Sequence, residues 1–320
     1  MTTLDLTSRL TLPVVAAPMF IISGTELVIE CCKNGIVGTF PALNGRTSED
    51  FERMLARITG ELERHEQTTG RKAAPFGVNI IVHPTNPRIM ADLQLCAKYK
   101  VPLIITSLGA VKELVSAVHD HGGLVFHDIV KKRHAEKAAE AGVDGLILVA
   151  AGAGGHAGTA SPFALVAEIR SFYTGIILLA GGINSGSDIL AARTMGADLA
   201  YMGTRFIATR ECLASDDYKQ MILSSGIDDI IYTDGVSGVK ANFIKQSLER
   251  AGIDLSQKKD EDFSKLSGSH AKAWKDIWSA GHGSAGITDV PTVAELVMRL
   301  GIEYKAALER NDRIRNELAF

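Results

Sequence analysis

The chain has 320 residues and a formal net charge of −3, from 34 Lys and Arg against 37 Asp and Glu. Hydrophobic residues make up 46% and charged residues 22%, a balance that can bury a large core and excludes a mainly disordered chain. The near-even charge excludes a global basic field for nucleic acid or an anionic membrane surface, and no apolar run reaches the ~18 residues of a membrane span.

The opening residues, MTTLDLTSRLTLP, lack the apolar core of a secretory leader. The four cysteines, Cys31, Cys32, Cys96 and Cys212, show no CxxC spacing. Both features lead us to expect a cytoplasmic protein with reduced thiols. Eight short apolar runs then follow one another: 14–19, 36–42, 76–81, 101–109, 124–129, 145–151, 175–182 and 199–206. They are rich in Val, Ile and Leu without alternation, as strands buried on both faces should be. Helical periodicity fills the gaps. Leu27, Cys31 and Cys32 share one face before the second strand. Thr47 and Asp50 form a candidate capping box for a helix over 47–66. Further helices are expected over 87–99, 110–121, 131–141, 161–171 and 186–195, several ending on a glycine C-cap: Gly35, Gly122, Gly142 and Gly196.

Eight βα units in succession predict a (β/α)8 barrel, an α/β fold, over an open doubly wound sheet. The pattern breaks after residue 206. Residues 207–289 are polar and helix-like, with a charged stretch KKDEDFSK at 258–265, and are expected to form a small helical cap. An amphipathic helix over 291–316 would close the barrel, so the barrel comprises 1–206 and 290–320.

A barrel carries its active site at the C-terminal ends of its strands. There the polar and glycine residues concentrate. AGGI (180–183) after the seventh strand and Gly203-Thr204 after the eighth match the phosphate site that these two loops make in barrels. The sixth strand runs into AAGAGGHAG (150–158), where Gly154 and Gly155 leave His156 standing beside bare backbone. Imidazole there can serve as a base near neutral pH. His83 and His127 lie at the same rim, as pocket candidates or as loop anchors. No HExxH or Cys/His spacing predicts a metal site. Cys212 reads as a packed thiol. Trp274 and Trp278, four residues apart, would line a pocket or fill the cap.

Together these residues resemble the nitronate monooxygenase family, formerly 2-nitropropane dioxygenases, over almost the whole chain. The matching elements are APM (17–19), GVN (77–79), AGGHAG (153–158), AGGI (180–183) and MGTRFIATREC (202–212), the last being the most specific. The resemblance implies a TIM barrel binding FMN without a covalent link. The flavin ring would lie along Ala17, Pro18, Met19, Asn79, Asp128, Gly154 and Gly155, and its phosphate against Gly181, Gly182, Gly203 and Thr204. It also implies that His156 is the catalytic histidine, acting on an alkyl nitro compound or its nitronate with O2. NADH:quinone reductases and FMN-dependent enoyl-ACP reductases resemble this chain too, through Pro84-Thr85-Asn86-Pro87, IWSAG (277–281) and GVNI. On those readings the substrate is a quinone or enoyl compound and NAD(P)H the donor. In the reductase branch a Lys follows the fifth-strand histidine, where this chain has Asp128. Lys131 or Arg205 is then expected to supply the cation. A homodimer is compatible with the resemblance. An inosine-monophosphate-dehydrogenase-like barrel needs a Cys in the sixth loop, which is absent here. A flavin-free barrel that binds a phosphate ligand or acts as a lyase is the alternative of another class, although no strand end carries a Schiff-base Lys.

Overall fold

In the computed structural model, which describes residues 3–109, 111–236, 238–253 and 276–317, eight parallel strands close into a barrel. They are β1 (Val14–Ala16), β2 (Val37–Pro41), β3 (Phe76–Ile81), β4 (Leu103–Ser107), β5 (Leu124–Ile129), β6 (Gly145–Val149), β8 (Ile176–Ala180) and β9 (Leu199–Met202), in that order around the ring. Val15 of β1 pairs with Val37 on one side and Tyr201 of β9 on the other, which seals the ring. Each predicted strand is present, with trimmed ends where the chain leaves the ladder for a rim loop.

The absence of alternation in the strands has its cause in two apolar layers. Inward side chains such as Val15, Val37, Leu103, Ile105, Phe126, Ile147, Leu178 and Leu199 fill the barrel. Outward ones such as Val78, Ile80, Ile104, Val125, Leu146 and Ile177 pack under the helices. A short helix Thr3–Ser8, which the sequence pattern did not predict, sends Leu6 into the inner cluster. The capping box forms as expected: Asp50 N donates to Thr47 Oγ1 at 3.1 Å and Thr47 N to Asp50 Oδ2 at 3.2 Å, starting a helix that runs Ser48–Thr69. The last helix, Val293–Glu317, buries Val293, Leu296, Val297 and Leu300 and packs on the helices Gly186–Met195 and Thr25–Lys33, closing the outer ring.

The segment after β9 is not purely helical. It holds helices Asp216–Leu223 and Lys245–Arg250, but also β10 (Ile230–Thr233) and β11 (Ala241–Ile244). β11 pairs with β10 on one side and with β7 (Gly155–His156), from the loop after β6, on the other, in the order β10-β11-β7 and antiparallel throughout. The physical reason lies in IIYT and ANFI. IIYT is wholly β-branched or aromatic, ANFI supplies Phe243 and Ile244, the two flank Asp234-Gly235, a turn signal, and β11 is buried along its whole length. β11 could not be assigned without its distant partner, β7. The KKDEDFSK stretch and Trp274 lie outside the described residues. Among the described residues no helix is long and apolar enough to cross a membrane.

Candidate active site

The strand ends open into one cavity of about 1400 Å³. Its wall brings together Ala17, Pro18 and Met19 after β1, Asn79 on β3, His127 and Asp128 on β5, Gly154, Gly155 and His156 after β6, Gly181 and Gly182 after β8, and Gly203 and Thr204 after β9. Trp278 joins from the segment over the mouth. His83 is a correction to the pocket set. Its Nδ1 lies 2.8 Å from Thr85 Oγ1, and the ring is not part of the cavity wall. The Pro84-Thr85-Asn86-Pro87 turn holds the histidine that precedes it.

A polar chain crosses the floor. Asn79 Nδ2 donates to Ser107 Oγ at 2.8 Å and to Ile105 O at 3.2 Å, and Ser107 Oγ donates to Asp128 Oδ2 at 2.5 Å. Asp128 Oδ1 is buried at the cavity wall with no hydrogen-bond partner. Burial pushes the Asp128 carboxyl up to about 6, against a smaller lowering by the Ser107 hydrogen bond. The expected substitute cations are not there. Arg205 is buried but turned outward, its guanidinium 3.2 Å from Asp289 Oδ1, and neither it nor Lys131 lines the cavity. Arg205 is held by the carboxylate because a buried guanidinium needs one.

His127 lies buried beside Asp128. Its Nδ1 lies 2.7 Å from Thr106 Oγ1, a hydroxyl that is also 3.3 Å from Phe126 O. Burial pushes the His127 imidazole down to about 4, so it is neutral at ordinary pH. His156 differs. It is open to the cavity, yet the surrounding protein lowers its pKa below the ordinary value by desolvation.

What aims His156 was not legible locally. Its strand, β7, pairs Gly155 with Asn242 and His156 with Ala241 of β11. Buried Asn242 reaches back with Nδ2 to Ala153 O at 2.6 Å. Tyr232 of β10 donates its hydroxyl to Ala157 O at 2.8 Å. Three groups from the inserted segment therefore fix a histidine that belongs to the barrel loop. The only sequence signal was the β-prone run ANFI.

The glycine loops meet in close backbone contact. A Cβ on Gly281 would come within 2.3 Å of Gly152 O, and one on Gly181 within 2.7 Å of Ala151 O. Gly281 N donates to Thr204 Oγ1 at 2.9 Å, and Asn184 Nδ2 to Gly283 O at 2.6 Å, tying the 279–286 stretch of chain over both glycine turns. Gly182, like Gly155, differs. It sits at φ +71° and a Cβ there would meet nothing within 4 Å, so its backbone faces open cavity.

Trp278 serves as both wall and core. Tyr218 stacks on it with centroids 4.8 Å apart and planes at 10°, and the Arg250 guanidinium lies 4.0 Å from the ring centre. Cys212 is buried outside the cavity wall, its thiol pushed up to about 11 by burial, which makes it inert. Among the described residues no group of three or more His, Cys, Asp or Glu is placed to hold a metal ion.

This geometry agrees with the comparisons to known proteins. A family model described as nitronate monooxygenase matches residues 84–303. A nitronate monooxygenase of Paraburkholderia phytofirmans is 26% identical over 355 aligned positions, covering 93% of each chain. Octahydro-1H-indene-4-carboxyl-CoA dehydrogenases of Mycobacterium tuberculosis and Rhodococcus jostii are 25% and 26% identical, and the match spans 64% and 65% of their lengths. Among solved structures, a nitroalkane oxidase from Streptomyces ansochromogenes superposes with a TM-score of 0.81 at 24% identity, over 95% of this chain and 99% of that one. FabK from Thermotoga maritima gives 0.79 at 21% identity, over 97% of each. The two structures share the fold, and the matched model spans most of the barrel together with the segment over its mouth: the chain belongs to the nitronate monooxygenase family.

Proposed function

We propose that this protein is an FMN-dependent oxidoreductase that oxidises alkyl nitronates and nitroalkanes with O2. The observation that carries the reading is the convergence, on one cavity, of an open glycine turn at a phosphate-type rim and a histidine with a lowered pKa. Two features fit a flavin. At Gly182 and Gly203 backbone faces open space, since a Cβ on Gly203 would meet only Ala17 Cβ at 3.7 Å. Thr204 Oγ1 already accepts a hydrogen bond from Gly281, so its own proton can be donated to a phosphate oxygen. The orphaned Asp128 Oδ1 calls for a donor, and a flavin ring carries one N–H between two carbonyls. Gly181, Gly182, Gly203 and Thr204 would hold the phosphate. Ala17, Pro18, Met19, Asn79, Asp128, Gly154 and Gly155 would flank the ring. A cradle for one phosphate favours FMN over a dinucleotide.

Bound FMN supplies a two-electron acceptor that O2 can reoxidise. The chain does the rest. The His156 imidazole takes the α-proton of a neutral nitroalkane. Neutral His127 presents a lone pair rather than a positive charge. The inserted segment over the mouth shields the site from water. A second reading, an NAD(P)H-dependent quinone or enoyl reductase, is favoured by the room in the cavity for a second large ligand.

The test is anaerobic reduction of the bound flavin by NADH, NADPH and a nitronate in parallel, after mass spectrometry of the released cofactor. Reduction by the nitronate alone supports the first reading, and reduction by a pyridine nucleotide the second. FAD, or no flavin, refutes the cofactor assignment. His156→Asn then separates proton abstraction from positioning. Loss of a general base typically costs about 10²- to 10⁴-fold, and a nitronate has already lost its proton. kcat/KM should fall far more for the nitroalkane than for its nitronate. Equal losses would assign His156 a positioning role.

A further inference from the structure

Among the described residues only three non-glycine residues have positive φ: Ile21 at +70°, Leu108 at +68° and Lys100 at +48°. Lys100 belongs to a helix-ending turn, where this conformation is common. Ile21 and Leu108 have no such excuse. A β-branched or bulky side chain in the left-handed region is a genuine outlier, and such residues persist only where their surroundings enforce them.

Both line the candidate active-site cavity. Both are large aliphatic side chains left exposed, at 39% and 48%. They come from the loops after β1 and β4, three strands apart around the ring. The enforcement is visible at Ile21. Its N–H donates to Asn44 Oδ1 at 2.8 Å, while Asn44 Nδ2 donates to Met19 O and Ser23 O at 3.2 and 2.9 Å. Leu108 follows Ser107, which the Asn79–Asp128 chain fixes. A third exposed aliphatic, Leu213 at 64%, lines the same cavity and is tied to the first loop by its N–H on Ile22 O at 3.0 Å. Exposed aliphatics scattered singly need no explanation. Three on one cavity, two of them in a disfavoured backbone state that keeps them out of the core, do.

We propose that Ile21, Leu108 and Leu213 form an aliphatic clamp at the cavity mouth that selects substrates carrying an apolar chain. The inference rests on the reading that this cavity is the reaction site, and it narrows the substrate class to nitronates with long alkyl groups. Burial of one methylene corresponds to about a fourfold gain in binding, and a half-open clamp should give about two- to fourfold.

The experiment uses the holoenzyme and two homologous series. One is primary alkyl nitronates from two to ten carbons, read as kcat/KM. The other is n-alkanoates of the same lengths, planar anions that do not react, read as dissociation constants by calorimetry. Wild type should gain about two- to fourfold per added methylene in both series. Ile21→Gly and Leu108→Gly remove the side chain and relieve the φ, so the melting temperature should not fall while the dependence on chain length flattens. A flat wild-type series in both measurements overturns the clamp, as does no binding of any alkanoate. An unchanged slope in both variants overturns it too, and a drop in melting temperature with that unchanged slope would make the side chains structural. Chain-length-dependent binding without nitronate turnover would refute the proposed reaction and leave the clamp standing.

Discussion

Asp128→Asn tests the electrostatics of the cavity floor. The wild-type carboxyl is raised from 3.8 to about 6 by burial, with one oxygen taken by Ser107 and the other unpaired. At about 1.4 kcal/mol per pH unit that gap corresponds to about 3 kcal/mol. The sign follows from linkage. A carboxyl whose folded pKa lies above its unfolded value contributes stability below about pH 4 and loses it as pH rises through about 6. Above pH 6 the ionised, unpaired carboxylate therefore destabilises the protein. The introduced amide carries no charge, and its carbonyl can still accept from Ser107. The apoprotein of the variant should be more stable than wild type at pH 7.5 by up to about 3 kcal/mol, or about 4 °C in melting temperature for a chain of this size. The gain should shrink towards zero as pH falls to 4. The assay is thermal unfolding of apoprotein in buffers from pH 4 to 8. A variant less stable than wild type at pH 7.5 would mean that a cation or donor already pairs Oδ1, and the reasoning would fail. In the holoprotein the gain should be smaller, because a bound donor would satisfy the same oxygen.

Two further substitutions probe the rim. Gly182→Asp places a carboxylate in open cavity where backbone should meet phosphate, so it should yield folded protein with little bound flavin, read as the ratio of absorbance near 450 nm to that at 280 nm; normal flavin content would misplace the phosphate site. Asn242→Ala leaves Ala153 O without its buried donor, at a cost of about 1–2 kcal/mol, and should lower kcat about tenfold with flavin content unchanged, because only the loop carrying His156 loosens; unchanged kcat would remove Asn242 from the positioning set.

The barrel was legible because its signals are local. Val14–Ala16 or Ile176–Ala180 read as strands buried on both faces in any context, and Thr47 with Asp50 announces its helix within four residues. The glycine turns at Gly181–Gly182 and Gly203 were legible for the same reason: a turn at a strand end is a short-range event. The antiparallel sheet was not. β10, β11 and β7 acquire their meaning from pairing between residues 155–156 and 241–242, some 86 positions apart. Arg205 was misjudged because sequence places a residue at a strand end without telling which way its side chain turns, and Asp289, 84 positions away, decides that. Ile21 and Leu108 were illegible for the opposite reason. Their residue types argue against the backbone state they adopt, and only the clasp around Asn44 reveals why the first is tolerated.

This division of the molecule bears on how its chemistry is set. Of the groups assigned to the cofactor, Asn79 and Asp128 lie on barrel strands and the others in the loops at the strand ends, with Gly155 on β7 itself. His156 is held differently, between a barrel loop, where Gly158 N donates to Val149 O at 3.0 Å, and β11, the central strand of the three-stranded sheet. A two-residue strand has few ladder hydrogen bonds to share, so a small shift of β11 carries the imidazole with it. Changes in β10 and β11 can thus move the His156 imidazole relative to the floor formed by Asn79, Ser107 and Asp128 without disturbing the ring that shapes it. On the proposed reading, the placement of His156 in the cavity then depends as much on these two strands as on the strand ends.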